Sequence, residues 1–89
     1  MISFEKACAI ALAYYRDNHS VEGIYKPYEL DDCWVFNGGH EGDGAVGIHK
    51  IAVAKADGAV SAFSYPTREN VERLRSGREL PLPDGIGGR

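Results

Sequence analysis

Cys8, Cys33, His19, His40 and His49, with scattered carboxylates, are the side chains in this sequence best suited to nucleophilic or acid–base chemistry. A nucleophile needs an activating base and an orienting group that converge in a pocket, and the spacing here gathers no such set. A domain of 89 residues also leaves little volume for a deep pocket. No catalytic residue is therefore assigned, and the histidines are expected at the surface or on strand edges. A small enzyme using Cys33 or a histidine remains a minor alternative. Each cysteine lies inside an apolar, regular-looking segment, which suits a buried reduced thiol better than a disulfide or a metal knuckle. The run Gly38-Gly39-His40-Glu41-Gly42-Asp43-Gly44 invites comparison with phosphate-cradling loops. It lacks the Gly-Lys-Ser/Thr ending of a P-loop and the strand–helix setting of a dinucleotide site, and its two acids would repel phosphate. His40, Glu41 and Asp43 could donate to a metal, yet no second cluster supplies further ligands, so neither a metal nor a cofactor is expected.

The charge distribution says more than the net value of −3. Residues 27–49 contain Glu29, Asp31, Asp32, Glu41 and Asp43 and no lysine or arginine, so the acidic excess is concentrated in the middle of the chain. These acids are either solvated turn residues or a recognition surface for a basic partner. The weak overall charge argues against nucleic acid as the main partner, because such proteins need a basic footprint on phosphates. No apolar stretch has the length of a membrane span, and Met1-Ile2-Ser3-Phe4-Glu5 lacks the pattern of a signal peptide. A cytoplasmic protein with no membrane partner is expected, as a monomer or weak homodimer.

The elements that must position these residues follow from periodicity. Apolar residues at 44% and charged ones at 26% describe a chain that folds. Ser3 can cap a helix over residues 4–18, in which Phe4, Cys8, Ala11, Leu12 and Tyr15 recur at helical spacing. From Val21 the composition turns β-branched and aromatic. One strand up to Tyr28, an acidic turn over residues 29–32 and a second strand from Cys33 to Phe36 fit this pattern. The glycine-rich stretch 37–44 is expected to be a mobile loop. Two more strands, over roughly 47–55 and 59–65, are joined at Ala56-Asp57-Gly58, with Gly58 left-handed. A three-residue loop there sets Val53 opposite Ser61 and Ile51 opposite Phe63, gathering Ile51, Val53 and Phe63 on one face; a two-residue Asp57-Gly58 loop would instead group Ile48, Ala52 and Phe63, a weaker apolar set. Thr67 can cap a short helix containing Val71 and Leu74 that stops at Gly77.

The expected architecture is α+β: an N-terminal helix packed on a four-stranded antiparallel sheet, with a short C-terminal helix. Residues 1–78 form one domain and 79–89 a loosely ordered tail. Phe4, Cys8, Leu12, Ile51, Val53 and Phe63 are the expected core. Trp34 alternates with Cys33 and Val35, so it lies either in the core or on an interface, where tryptophan is a frequent hot spot. One helix covers only part of such a sheet, leaving some of the opposite face open for binding unless the C-terminal helix covers it.

The Ala-rich helix, the acidic turn running into Asp32-Cys33-Trp34-Val35-Phe36, and the hairpin Ile51-Ala52-Val53-Ala54-Lys55-Ala56-Asp57-Gly58-Ala59-Val60 together resemble the YrhB-like bacterial immunity-protein family, of the immunity protein 35 type. The resemblance covers residues 4 to about 76. It implies a small cytoplasmic protein that binds and neutralises a cognate toxin by occlusion, and one branch of the family is described as chaperone-like. No catalytic residues come with it. A toxin that attacks nucleic acid presents basic surface, which Glu29, Asp31, Asp32, Glu41 and Asp43 would complement, with Trp34 as an apolar anchor if it faces outward. A chaperone-like or regulatory protein-binding module is the other reading.

Overall fold

The computed structural model describes residues 1–21, 23–39, 49–63 and 68–82. Ser3 accepts a hydrogen bond from the Lys6 amide at 3.0 Å and starts α1, Phe4–His19. The helix stops at Ser20, whose left-handed backbone turns its N–H onto the Tyr15 carbonyl. The strands are β1 (Ile24–Glu29), β2 (Cys33–Gly38), β3 (Ile51–Ala54) and β4 (Val60–Ala62), followed by α2 (Arg68–Ser76) and the short β5 (Arg78–Glu79). Neighbours in the order β4-β3-β2-β1-β5 all pair antiparallel. The α+β expectation is met, with two corrections at the C-terminal side.

The sheet has five strands rather than four, because Arg78 and Glu79 pair with Glu29 and Tyr28. The Leu80 amide continues that edge with a 2.9 Å bond to the Pro27 carbonyl, and Leu80 and Leu82 pack against the core. Thus residues 79–82, expected as the start of a loose tail, are tied down by backbone pairing and apolar contact. Residues 83–89 of that tail, Thr67, and all of the 37–44 loop beyond Gly39 lie outside the described residues. Asn37 and Gly38, expected in that loop, belong to β2.

The hairpin register is also corrected. Observed partners are Ile51 with Ala62, Ala52 with Ser61 and Val53 with Val60, one residue off the expected pairing. The cause is Lys55. Its amide donates to the Asp32 carbonyl and its carbonyl accepts from the Ile2 amide, both at 2.9 Å, so it cannot pair with Ala59. The turn lengthens to Lys55–Gly58, closed by the Gly58 amide on the Ala54 carbonyl, and Gly58 is left-handed as expected. A one-residue slip moves side chains to the other face, so Phe63 leaves Ile51 and Val53.

Two apolar layers result. Beneath α1, Ile24, Trp34, Phe36, Ile51 and Val53 pack against Ala7, Cys8, Ala11 and Tyr15. On the other face lie Leu30, Cys33, Val35, Ala52 and Phe63, with Tyr28 and Leu74 packed against them. Of the expected core, Cys8, Ile51, Val53 and Phe63 are buried, whereas Phe4 and Leu12 are half-buried at the margins of the first layer.

Candidate functional site

The second sheet face, under α2, carries two recesses bordered by polar side chains. At one end, the Leu30 amide bonds the Cys33 carbonyl at 2.9 Å, closing the β1–β2 turn. Leu30 turns inward, and Asp31 and Asp32 stand exposed at the tip. The Glu29 side chain lies opposite Trp34, on the α1 side of the sheet, where Lys55 donates to one carboxylate oxygen at 2.9 Å and Arg78 to the other at 3.0 Å. The Lys55 hydrogen bond is the main reason that the Glu29 carboxyl is held below its usual range; partial desolvation opposes it, and Arg78 adds to the lowering. Arg73 of α2 reaches Asp32 at 2.8 Å.

Three cations thus fold back onto the acidic segment, while α2 brings two further acids to it. Glu29, Leu30, Asp31, Glu69, Glu72 and Arg73 border a recess of about 360 Å3. Glu69 and Glu72 were not expected at this site. Their place follows from α2 docking beside the turn, a long-range contact with no signal in local spacing. Glu41 and Asp43, the remaining acids of the segment, lie outside the described residues, as does His40.

At the other end of the same face, β1 carries a bulge between Tyr25 and Tyr28. Lys26 within it adopts a left-handed backbone (φ 46°), unusual for a non-glycine residue. Residues three apart on a regular strand face opposite ways. The bulge instead pairs Tyr25 with Asn37 and Tyr28 with Val35, so both tyrosines share a side. The Asn37 amide group donates to the Tyr25 and Lys26 carbonyls at 3.2 Å, and its oxygen accepts from the Lys50 ammonium. Burial, and then the charge of Lys26, push the Lys50 ammonium below its usual range. Val71, Leu74 and Arg75 of α2 form the roof of this groove, whose volume is about 480 Å3.

Trp34 does not belong to either recess. It is 5% exposed and lies beneath α1, with Phe4 at 5.9 Å between ring centroids, so its reading as an outward-facing interface anchor is corrected to a core role. Strand alternation carries it to the α1 face because Cys33 and Val35 face α2. Among the described residues its indole N–H has no hydrogen-bond partner. The cysteines are free and buried, and burial pushes both thiols up to about 11. Thiols held protonated at neutral pH are poor nucleophiles.

His49 is exposed, with its Nε2 3.0 Å from the Tyr14 hydroxyl, and its ring lies 5.2 Å from that of half-buried His19. Among the described residues, no three potential metal donors come together, and no helix is long and apolar enough to cross a membrane. No protein-family model, curated protein or solved structure matches this chain.

Proposed function

We propose that this chain is an immunity-type binding protein that neutralises a toxin by occluding a basic surface of it. The observation that carries this reading is the acidic recess: Asp31, Glu69 and Glu72, all exposed, surround a pocket floored by Leu30, with Glu29 in its wall and Asp32 alongside. A lysine or arginine from the partner would enter the recess, laying its aliphatic stem on Leu30 and its charge among the carboxylates. The anchor thereby comes from the partner, and buried Trp34 is not required as a hot spot. Residual negative charge around the recess would also speed encounter with a basic surface. The protonated thiols weigh against the enzyme alternative that uses Cys33.

The test is co-expression with a toxin encoded beside this chain, followed by purification of the complex. Growth rescue and a one-to-one complex whose association slows as salt rises are expected. Failure to form a complex at low ionic strength with any such toxin rejects the proposal.

A further inference from the structure

We propose that the β4 edge of the sheet pairs with the same edge of a second copy of this chain, joining the two sheets antiparallel about a twofold axis at Ser61. β4 ends the strand order, and Val60, Ser61 and Ala62 are all exposed. The opposite edge is of a different kind. There β5 carries Arg78 and Glu79, charges of the sort that keep a strand edge from pairing with another chain. Ala59-Val60-Ser61-Ala62 has neither charge nor proline, and Val60 is, with Met1, an exposed large apolar side chain among the described residues.

The register follows from the backbone groups already in use. On the β3 side, the Ala54 amide donates to the Ala59 carbonyl at 2.9 Å and the Phe63 amide to the Lys50 carbonyl at 3.0 Å. Backbone groups alternate in direction along an antiparallel strand, so Ala59, Ser61 and Phe63 turn theirs to β3, and Val60 and Ala62 turn theirs outward. With Ser61 on the twofold axis, Val60 of each copy meets Ala62 of the other, and each pair exchanges N–H and C=O in both directions. A contact of this isologous kind needs no second surface. The side chains agree with it. Val60 and Ala62 stand opposite Val53 and Ile51 on the α1 side, so small apolar groups meet across the junction. No charge on β4 is set against its own copy, and this self-complementarity singles out a second copy as the occupant. The acidic recess lies at the β1–β2 turn rather than on β4, so either proposal can fail alone.

Sedimentation equilibrium of the full chain should show a monomer–dimer equilibrium at about millimolar protein, in keeping with an interface smaller than the standard size. Val60→Lys, at an exposed position, should raise the dimer dissociation constant about tenfold or more and leave the fold intact, because a charge then sits on the edge. Ala62→Lys tests the same edge a second time. Ser61→Cys locates the axis. Its thiol would face its own copy at a non-hydrogen-bonded pair, a spacing at which a disulfide closes, so air oxidation should cross-link this variant. Ala59→Cys, set opposite Phe63 of the other copy, should stay uncrosslinked. A monomer throughout that concentration range, a dimer indifferent to both lysines, or equal cross-linking of the two cysteine variants overturns the proposal. A monomer whose lysine variants lose the toxin complex overturns it too, and assigns the edge to the toxin.

Discussion

The two faces of this sheet use the same strands to different ends. Under α1, the stripe Ala7, Cys8, Ala11 and Tyr15 lets the helix come close. A Cβ on Gly38 would lie 2.5 Å from the Tyr15 ring, and that residue's hydroxyl donates to the Phe36 and His49 carbonyls at 3.1 and 2.7 Å. Facing α2, the strands present Cys33, Val35 and Ala52, just as apolar, yet α2 has no buried residue. It is held mainly by half-buried Leu74, the Arg73–Asp32 pair and Gly77 against Leu30. The difference lies in the covering helices. A helix of small residues fuses with the sheet, whereas one of sequence Arg-Glu-Asn-Val-Glu-Arg-Leu-Arg-Ser stands off it and leaves recesses. Close packing is concentrated on one face and open recesses on the other.

The strongest way to break that division is to truncate one residue in each layer. Phe36, fully buried and stacked near Phe4, should cost about 3–5 kcal/mol when replaced by Ala. Leu74→Ala on half-exposed α2 should cost about 1 kcal/mol, because most of the side chain's surroundings are already open. Urea denaturation midpoints of the two variants measure the contrast directly. Equal losses would mean that α2 belongs to the same cooperative core as α1.

Much of this layout was legible because it rests on local periodicity. The helix over residues 4–18 lies within Phe4–His19, and the strand from Cys33 to Phe36 lies within β2. What escaped were features set by distant partners. Lys55 leaves its hairpin because Ile2 and Asp32 take its backbone groups, and no pattern near residue 55 announces either. The bulge at Lys26 reverses the alternation on which face assignment rests, so the two tyrosines could not be placed together in advance. The acidic candidates on the turn were visible as a charge run, but the cations Lys55, Arg73 and Arg78 that neutralise part of it come from other elements.

A smaller effect should sharpen the comparison without unfolding anything. Arg73→Ala removes the ion pair to Asp32, whose members are 37% and 77% exposed, so the global loss should stay below about 1 kcal/mol. Hydrogen exchange should nevertheless quicken in α2 and stay unchanged in α1, since α2 has few other attachments. Uniform quickening across both helices would show that the two faces do not open separately.

Acid should act on the β1–β5 edge of the sheet, on the side that Trp34 shares. The Glu29 carboxyl is held below the ordinary 4.5 by Lys55 and Arg78, so the stability it adds is present above that value and lost as pH falls through the lower folded-state value. Glu29→Gln should flatten this part of the acid unfolding curve. The β1–β5 pairing should loosen first, seen as faster exchange at the Leu80 amide, which bonds to the Pro27 carbonyl beside Tyr28. An acid unfolding curve unchanged by Glu29→Gln would mean that the Lys55 and Arg78 contacts contribute nothing to stability.

The smallest expected effect on the fold carries the most information about recognition. Asp31 and Asp32 are adjacent and both exposed, but only Asp32 is paired with Arg73. Reversing Asp32 would place a lysine against that arginine, so slower toxin binding could then reflect displacement of α2 rather than loss of a contact. Asp31→Lys avoids this ambiguity, because a substitution at an exposed turn residue should change stability by no more than about 0.5 kcal/mol. If the acidic recess steers a basic partner, Asp31→Lys should slow association and reduce its dependence on salt, while the thermal midpoint stays fixed. Rapid mixing with the toxin at two ionic strengths measures this. Association at the parental rate in both would make Asp31 ordinary solvated surface and move the contact toward Glu69 and Glu72.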